Sequence, residues 1–187
     1  MKFFMCCLVD VKNIISNIYV DLRYATENNF TGRVIYDFQR CLLLKVAALR
    51  LKKVQTDLEL MGLGLKIWDG YRPIEAQWRV WEVMPDSRYV SDPRKGGRHA
   101  RGTAVDVTLV AKNGVELPMP SGFDDFSERA HRCFQEASSE ALANRDLLSG
   151  AMERYGFVGL STEWWHFDMV GWENYPVRPI SSPLRDC

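Results

Sequence analysis

Between positions 43 and 61 the apolar residues Leu43, Ala47, Leu51, Val54, Leu58 and Met61 recur in steps of three and four, while Lys45, Lys52, Lys53, Gln55 and Glu59 stand off that line. This spacing predicts a helix with one buried face, and such a face needs a second layer to cover it. Gly62 and Gly64 supply the stop. Residues 65–68, apolar but for Lys66, end at Asp69-Gly70, as a strand running into a turn does. Pro73 suits a helix start, so a second helix is expected over residues 74–84. Over residues 103–110 alternation sets Ala104, Asp106 and Thr108 on one face of a strand and Val105, Val107 and Leu109 on the other. Asn113-Gly114 then reads as a hairpin turn returning through residues 115–117. Leu148, Ala151, Met152 and Tyr155 mark a late helix ended by Gly156, and residues 163–169 have the aromatic content of a last strand. Together these elements imply an α+β domain with an antiparallel sheet packed against helices.

A chain of 187 residues with 47% hydrophobic residues is of a size to build one core. Residues 1–187 are therefore read as one domain, with 1–18 as an N-terminal extension. Lysine plus arginine and aspartate plus glutamate balance at 24 each, so no overall field draws the chain to nucleic acid or to an anionic membrane. No apolar stretch approaches the roughly 20 residues of a spanning helix. The apolar run at residues 3–9 meets Asp10 and Lys12 instead of a small-residue cleavage site, which reads as a cytoplasmic chain. Five cysteines without a C-x-x-C pair suggest reduced thiols and no thiolate metal cluster.

Function must then come from a local site. Of three histidines, two lie in the most distinctive segments, Gly96-Gly97-Arg98-His99-Ala100-Arg101-Gly102-Thr103-Ala104-Val105-Asp106 and Ser161-Thr162-Glu163-Trp164-Trp165-His166-Phe167. Two imidazoles and a carboxylate satisfy a hydrolytic zinc that keeps its fourth position for water. A histidine near a strand is nonetheless ordinarily a satisfied polar residue, and paired tryptophans are ordinarily core. Glu163 and His166, three apart, would also face opposite sides of a regular strand, so a bend or bulge near Trp164 is required if both serve one site.

The two segments resemble the H-x-x-G-x-A-x-D and E-x-W-H signatures of the M15 zinc peptidases, the D-Ala-D-Ala dipeptidases and their D,D-carboxypeptidase relatives. The likeness extends to Asp21-Leu22-Arg23-Tyr24-Ala25-Thr26 with Asn29-Phe30-Thr31-Gly32, to Trp68-Asp69-Gly70-Tyr71-Arg72-Pro73, and to Phe123-Asp124 with Ser127-Glu128-Arg129. The doubled tryptophan before His166 is similar to the dipeptidase branch. The resemblance implies a hedgehog/D,D-peptidase type fold and one zinc ion per chain on His99, Asp106 and His166, with Glu163 as the catalytic base. It further implies that Arg72 stabilises the tetrahedral intermediate, that Asp124 receives the amino group of a small D,D-dipeptide and that Tyr24 lines the same pocket. The substrate would be D-Ala-D-Ala, in a setting of cell-wall turnover. A D,D-carboxypeptidase acting on muropeptide stems and a non-catalytic zinc-binding domain are the alternatives. One departure stands at Gly97 and Arg98, where the family writes serine; Arg98 is either a carboxylate-binding fork or an exposed residue of a basic loop with Arg94, Lys95 and Arg101.

Overall fold

The computed structural model describes residues 7–178. Residues 1–6 and 179–187, and with them the start of the N-terminal apolar run and two of the cysteines, lie outside the described residues. Cys7 is disulfide-bonded, contrary to the expectation of reduced thiols, while Cys41 and Cys133 are free.

The first helix, α1 (Lys45–Glu59), buries Ala47, Leu51, Val54 and Leu58 completely. The two ends of the expected stripe fall outside it. Leu43 belongs to a short strand, and Met61 lies exposed in the turn where the Gly62 N–H caps the Glu59 carbonyl at 3.0 Å. That short strand, β3 (Leu42–Leu44), pairs antiparallel with β1 (Leu8–Asp10). Leu8, Val11, Ile15 and Ile18, within the stretch read as an extension, are buried in the same core as α1.

A five-stranded sheet carries the rest. Its strands are β2 (Tyr19–Val20), β4 (Leu63–Asp69), β5 (Ala104–Ala111), β6 (Phe157–Leu160) and β7 (Glu163–Met169), in the order β2-β4-β5-β7-β6. The neighbours are antiparallel except β2 and β4, which run parallel because the chain between them crosses over through β3 and α1. Val105, Val107 and Leu109 of β5 are fully buried, in one core with α1 and with Leu148 and Met152 of α3 (Ser139–Arg154). The latter helix begins well before the apolar positions that announce it, at Ser138, whose hydroxyl accepts from the Ala141 N–H at 3.2 Å. After Asn113-Gly114 the chain makes only an isolated bridge, Val110 to Glu116, in place of a hairpin strand. Pro118 and Pro120 follow at once and have no N–H to offer a ladder.

Helix α2 (Ile74–Val83) follows Pro73, and the loop over residues 85–101 contains short 3-10 turns at Pro93–Lys95 and His99–Arg101. Gly102 joins the second of these to β5 with φ of 71°, and its carbonyl accepts from the Leu44 N–H at 2.8 Å. A Cβ here would lie 2.6 Å from the Leu8 side chain. Gly102 thus locks the loop carrying His99 to the β1–β3 pair. Among the described residues no helix is long and apolar enough to cross a membrane.

Gly102→Ala should therefore lower the unfolding free energy by about 2 kcal/mol, since a left-handed alanine alone costs about 1–2 kcal/mol and Leu8 must also shift. Urea denaturation reads this directly. An unchanged midpoint would show that the loop relaxes freely.

Candidate metal centre

The site is built on one row across three adjacent strands. Asp69 of β4 is registered with Asp106 of β5, and Asp106 with His166 of β7. Residues directly opposite in a sheet share a face, so the row turns three polar side chains the same way. One irregularity makes the row, and a second, between β6 and β7, sets Glu163 beside it. Ile67 pairs with Val107 but Asp69 pairs with Asp106, so the extra residue is Trp68. On the other side Gly159 pairs with Phe167 and Leu160 with Glu163, which leaves Trp164, Trp165 and His166 opposite no residue of β6. The bulge demanded by the three-residue spacing of Glu163 and His166 is present, and both line one cleft.

His99 reaches the row from its 3-10 turn. Its Nε2 lies 3.2 Å from His166 Nδ1 and 3.4 Å from Asp106 Oδ2, while His166 Nδ1 lies 2.9 Å from Asp106 Oδ1. All three residues are buried. The outer nitrogens identify which face of each ring is free. His99 Nδ1 donates to the Gly70 carbonyl at 2.7 Å and His166 Nε2 donates to Asp168 Oδ1 at 3.1 Å. Both acceptors lack hydrogens, so in the neutral rings His99 Nε2 and His166 Nδ1 present lone pairs to the same point. Donor atoms around a tetrahedral ion at bond lengths of about 2.1 Å stand about 3.4 Å apart, and the observed separations fit that figure with little adjustment. The donor set, two nitrogens and a carboxylate, suits zinc.

The electrostatics follow the geometry. Burial opposes ionisation of Asp106, yet the two imidazoles beside it hold its carboxyl below the usual range. For His166 burial favours the neutral ring, but the Asp168 and Asp106 carboxylates outweigh it and raise its pKa to about 10. Glu163, whose Oε2 is 4.0 Å from His166 Nδ1, is pushed up to about 8, chiefly by burial. Arg72 is held on every side. Its Nε and Nη2 donate to Asp69 Oδ2 at 2.9 and 2.7 Å, its Nη1 donates to Gln77 Oε1 at 3.0 Å, and its guanidinium lies 4.3 Å over the Tyr24 ring. Asp69 itself accepts from the Tyr36 hydroxyl at 2.7 Å.

Across the cleft the Tyr24 hydroxyl donates to Asp124 Oδ1 at 3.0 Å, while Asp124 Oδ2 is buried without a partner. Asp124 also holds a left-handed backbone, φ of 58°. Burial, with Asp106 nearby, raises its carboxyl to about 7. Arg98 donates from Nη1 to Asp168 Oδ2 at 2.9 Å and retains 30% side-chain exposure where it borders the cleft. His99, Asp106, His166, Glu163, Arg72, Asp124, Tyr24 and Arg98 thus all line one cleft. Asp168, Asp69 and Gln77 complete the arrangement and were missed. Asp168 could have been found from its position two residues beyond His166, on the same strand face.

A cleft of this kind defines a candidate metal centre with a buried carboxyl group, that of Glu163, beside it. The family described as D-Ala-D-Ala dipeptidase, peptidase M15, matches residues 5–181, and the chain belongs to it. It is accordingly a peptidase of a metallopeptidase family. The D-alanyl-D-alanine dipeptidase of Escherichia coli K12 is 43% identical over 170 residues, covering 91% of this chain and 88% of that protein. Those of Enterococcus faecalis V583 and Enterococcus faecium are 33% and 32% identical, covering 83% and 92% of this chain and 87% and 95% of theirs. Among solved structures, the D,D-pentapeptidase VanY of a VanB-type resistance cassette, in complex with Zn(II), aligns with a TM-score of 0.45 at 18% identity, over 72% of this chain and 76% of its own.

Because a metal must displace the proton that Asp168 and Asp106 stabilise on His166, affinity should strengthen with rising pH, by up to about tenfold per unit through neutrality. Competition with a chelator between about pH 6 and 8 measures it. A flat profile would show that His166 is neutral before the metal arrives.

Proposed function

We propose that the protein hydrolyses free D-Ala-D-Ala to two molecules of D-alanine, with one zinc ion held by His99, Asp106 and His166 and the whole chain acting as one catalytic domain. The observation that carries this reading is the convergence of His99 Nε2, His166 Nδ1 and Asp106 beside buried Glu163 and Arg72. Bound there, zinc would supply Lewis acidity, bringing a water towards neutral pKa and polarising the scissile carbonyl.

Glu163 takes the proton from the attacking water. Its carboxylate is buried in the cleft with Oε2 4.0 Å from His166 Nδ1, within reach of both the attacking water and the leaving nitrogen, so one group can carry both halves of the proton shuttle. The water oxygen bonds to the carbonyl carbon, the C–N bond breaks, and Glu163 returns the proton to the leaving amine. Arg72 spends three of its five N–H donors on Asp69 and Gln77, which leaves one on each Nη for the developing oxyanion. Its charge is already in place, so little reorganisation is needed as the oxyanion forms.

The dipeptide is held at its ends. The unpartnered Oδ2 of Asp124 receives the ammonium, and Tyr24 keeps that carboxylate aimed by occupying Oδ1. Arg98 stands at the other end, where its exposed face offers charge to the substrate carboxylate while Nη1 stays on Asp168. A non-catalytic zinc domain has no use for a buried base beside an oxyanion donor, which favours catalysis.

Glu163→Gln should retain zinc and lose at least about a hundredfold in kcat, because the amide cannot accept the proton. Loss of activity in step with loss of metal would instead make Glu163 a ligand. Arg72→Ala should depress kcat more than it raises KM.

N-acetylated D-Ala-D-Ala and a pentapeptide stem should both be poor substrates, since they would bury the Asp124 carboxylate without a cation, at a cost of several kcal/mol. Asp124→Asn should narrow the gap between free and acylated dipeptide. Equal rates on both in the unmutated enzyme would replace the dipeptidase reading with a carboxypeptidase one.

A further inference from the structure

The interrupted ladder between β6 and β7 raises a question of backbone satisfaction. One step along β6, from Gly159 to Leu160, spans four along β7, from Phe167 to Glu163, so the intervening backbone has no strand partner on that side. Buried carbonyls left without donors are costly, and such a gap would ordinarily close by sliding into regular register. A regular strand would turn Glu163 and His166 to opposite faces.

One side chain fills the gap. Arg132 follows the 3-10 turn Glu128–Ala130 and directs its guanidinium between the two strands. Its Nη2 donates to the Trp164 and His166 carbonyls at 3.0 and 2.9 Å, and its Nε donates to the Leu160 carbonyl at 2.9 Å. Its backbone N–H donates to the Ser161 carbonyl at 3.0 Å. Nη1 donates to Ser149 Oγ of α3 at 2.6 Å, and the guanidinium lies 4.3 Å over the Phe167 ring. The fork therefore serves both strands where they cannot serve each other. Gly159 accommodates it, for a Cβ at that position would collide with the guanidinium carbon. Arg132 is not among the residues lining the cleft.

We propose that Arg132 is a positioning residue which holds the β7 bulge open and so keeps Glu163 and His166 on one face. This rests on the proposed roles of Glu163 and His166, and it assigns Arg132 no contact with substrate or metal. Lysine in its place offers one ammonium, which cannot reach three carbonyls along two strands with a planar fork's geometry.

The test uses the zinc-loaded enzyme and its cobalt-substituted form, comparing Arg132→Met, Arg132→Lys and Gly159→Ala. The glycine variant retains the guanidinium but displaces it, so it reports even if Arg132→Met fails to fold. Each is expected to lose about a hundredfold in kcat on D-Ala-D-Ala, the scale of a misplacement of about 1 Å, with KM within about twofold. Each should also shift the visible cobalt spectrum. Combining Gly159→Ala with Arg132→Lys should add little to either alone, because both remove the same fork. Variants that lose only stability, with kcat and cobalt spectrum of the folded protein unchanged, overturn the proposal. Should the unmutated protein fail to release D-alanine, the functional reading falls, while the cobalt spectra still decide the role of Arg132.

Discussion

Two imidazole nitrogens 3.2 Å apart, with a carboxylate oxygen within 3.4 Å of the first and another 2.9 Å from the second, form a cluster of electron pairs aimed at one point. Without a proton or a cation among them, such groups repel strongly in a buried setting. What keeps them there lies behind them. The Gly70 carbonyl and Asp168 each fix a ring by its far nitrogen, and Arg98 fixes Asp168 in turn. Outer partners of this kind set the ring orientation and the basicity of the inner nitrogen. The register of three strands and the loop that delivers His99 are arranged around that requirement.

The price of the arrangement is a concentration of buried charge. Asp69, Asp106, Asp168, Glu163 and Arg72 are all buried, and Asp124 keeps one carboxylate oxygen unpaired. A buried pair such as Arg72–Asp69 contributes little net stability, because desolvation consumes most of the Coulomb gain, whereas removing one partner typically costs about 3–5 kcal/mol. Its value is geometric. With Asp69 behind it, Gln77 at its side and the Tyr24 ring under it, the guanidinium is fixed in one orientation at the wall of the cleft.

Stability comes from elsewhere. The face of the sheet formed by Val105, Val107 and Leu109 packs in one core with α1 and α3, and this apolar layer is shared by the two strands whose register is interrupted. Bulges displace side chains by one position relative to the neighbouring strand. Here they substitute Asp69 for Trp68 opposite Asp106 and bring Glu163 to the side of His166. An ideal sheet of the same sequence would have scattered these residues between its two faces.

Local patterning determined α1 from its apolar stripe, β4, β5 and β7 from their apolar and aromatic content, and the α+β class from their mixture. Motif resemblance singled out His99, Asp106, His166 and Glu163, and the three-residue spacing of Glu163 and His166 required a bend or bulge near Trp164 once both were assigned to one site. Tertiary structure decided what depends on partners distant in the chain: the β1–β3 pairing that absorbed Leu43, the parallel β2–β4 pair, the early start of α3 at its serine cap, and the attachment of Arg98 to Asp168. It also decided that Arg132 lies across the gap between β6 and β7, far along the chain from the strands it joins. The reason is physical. Periodicity records which face of an element is buried, a property of neighbours in sequence, whereas the partner of a charged side chain is set by which strands and loops come to lie together after that burial is complete.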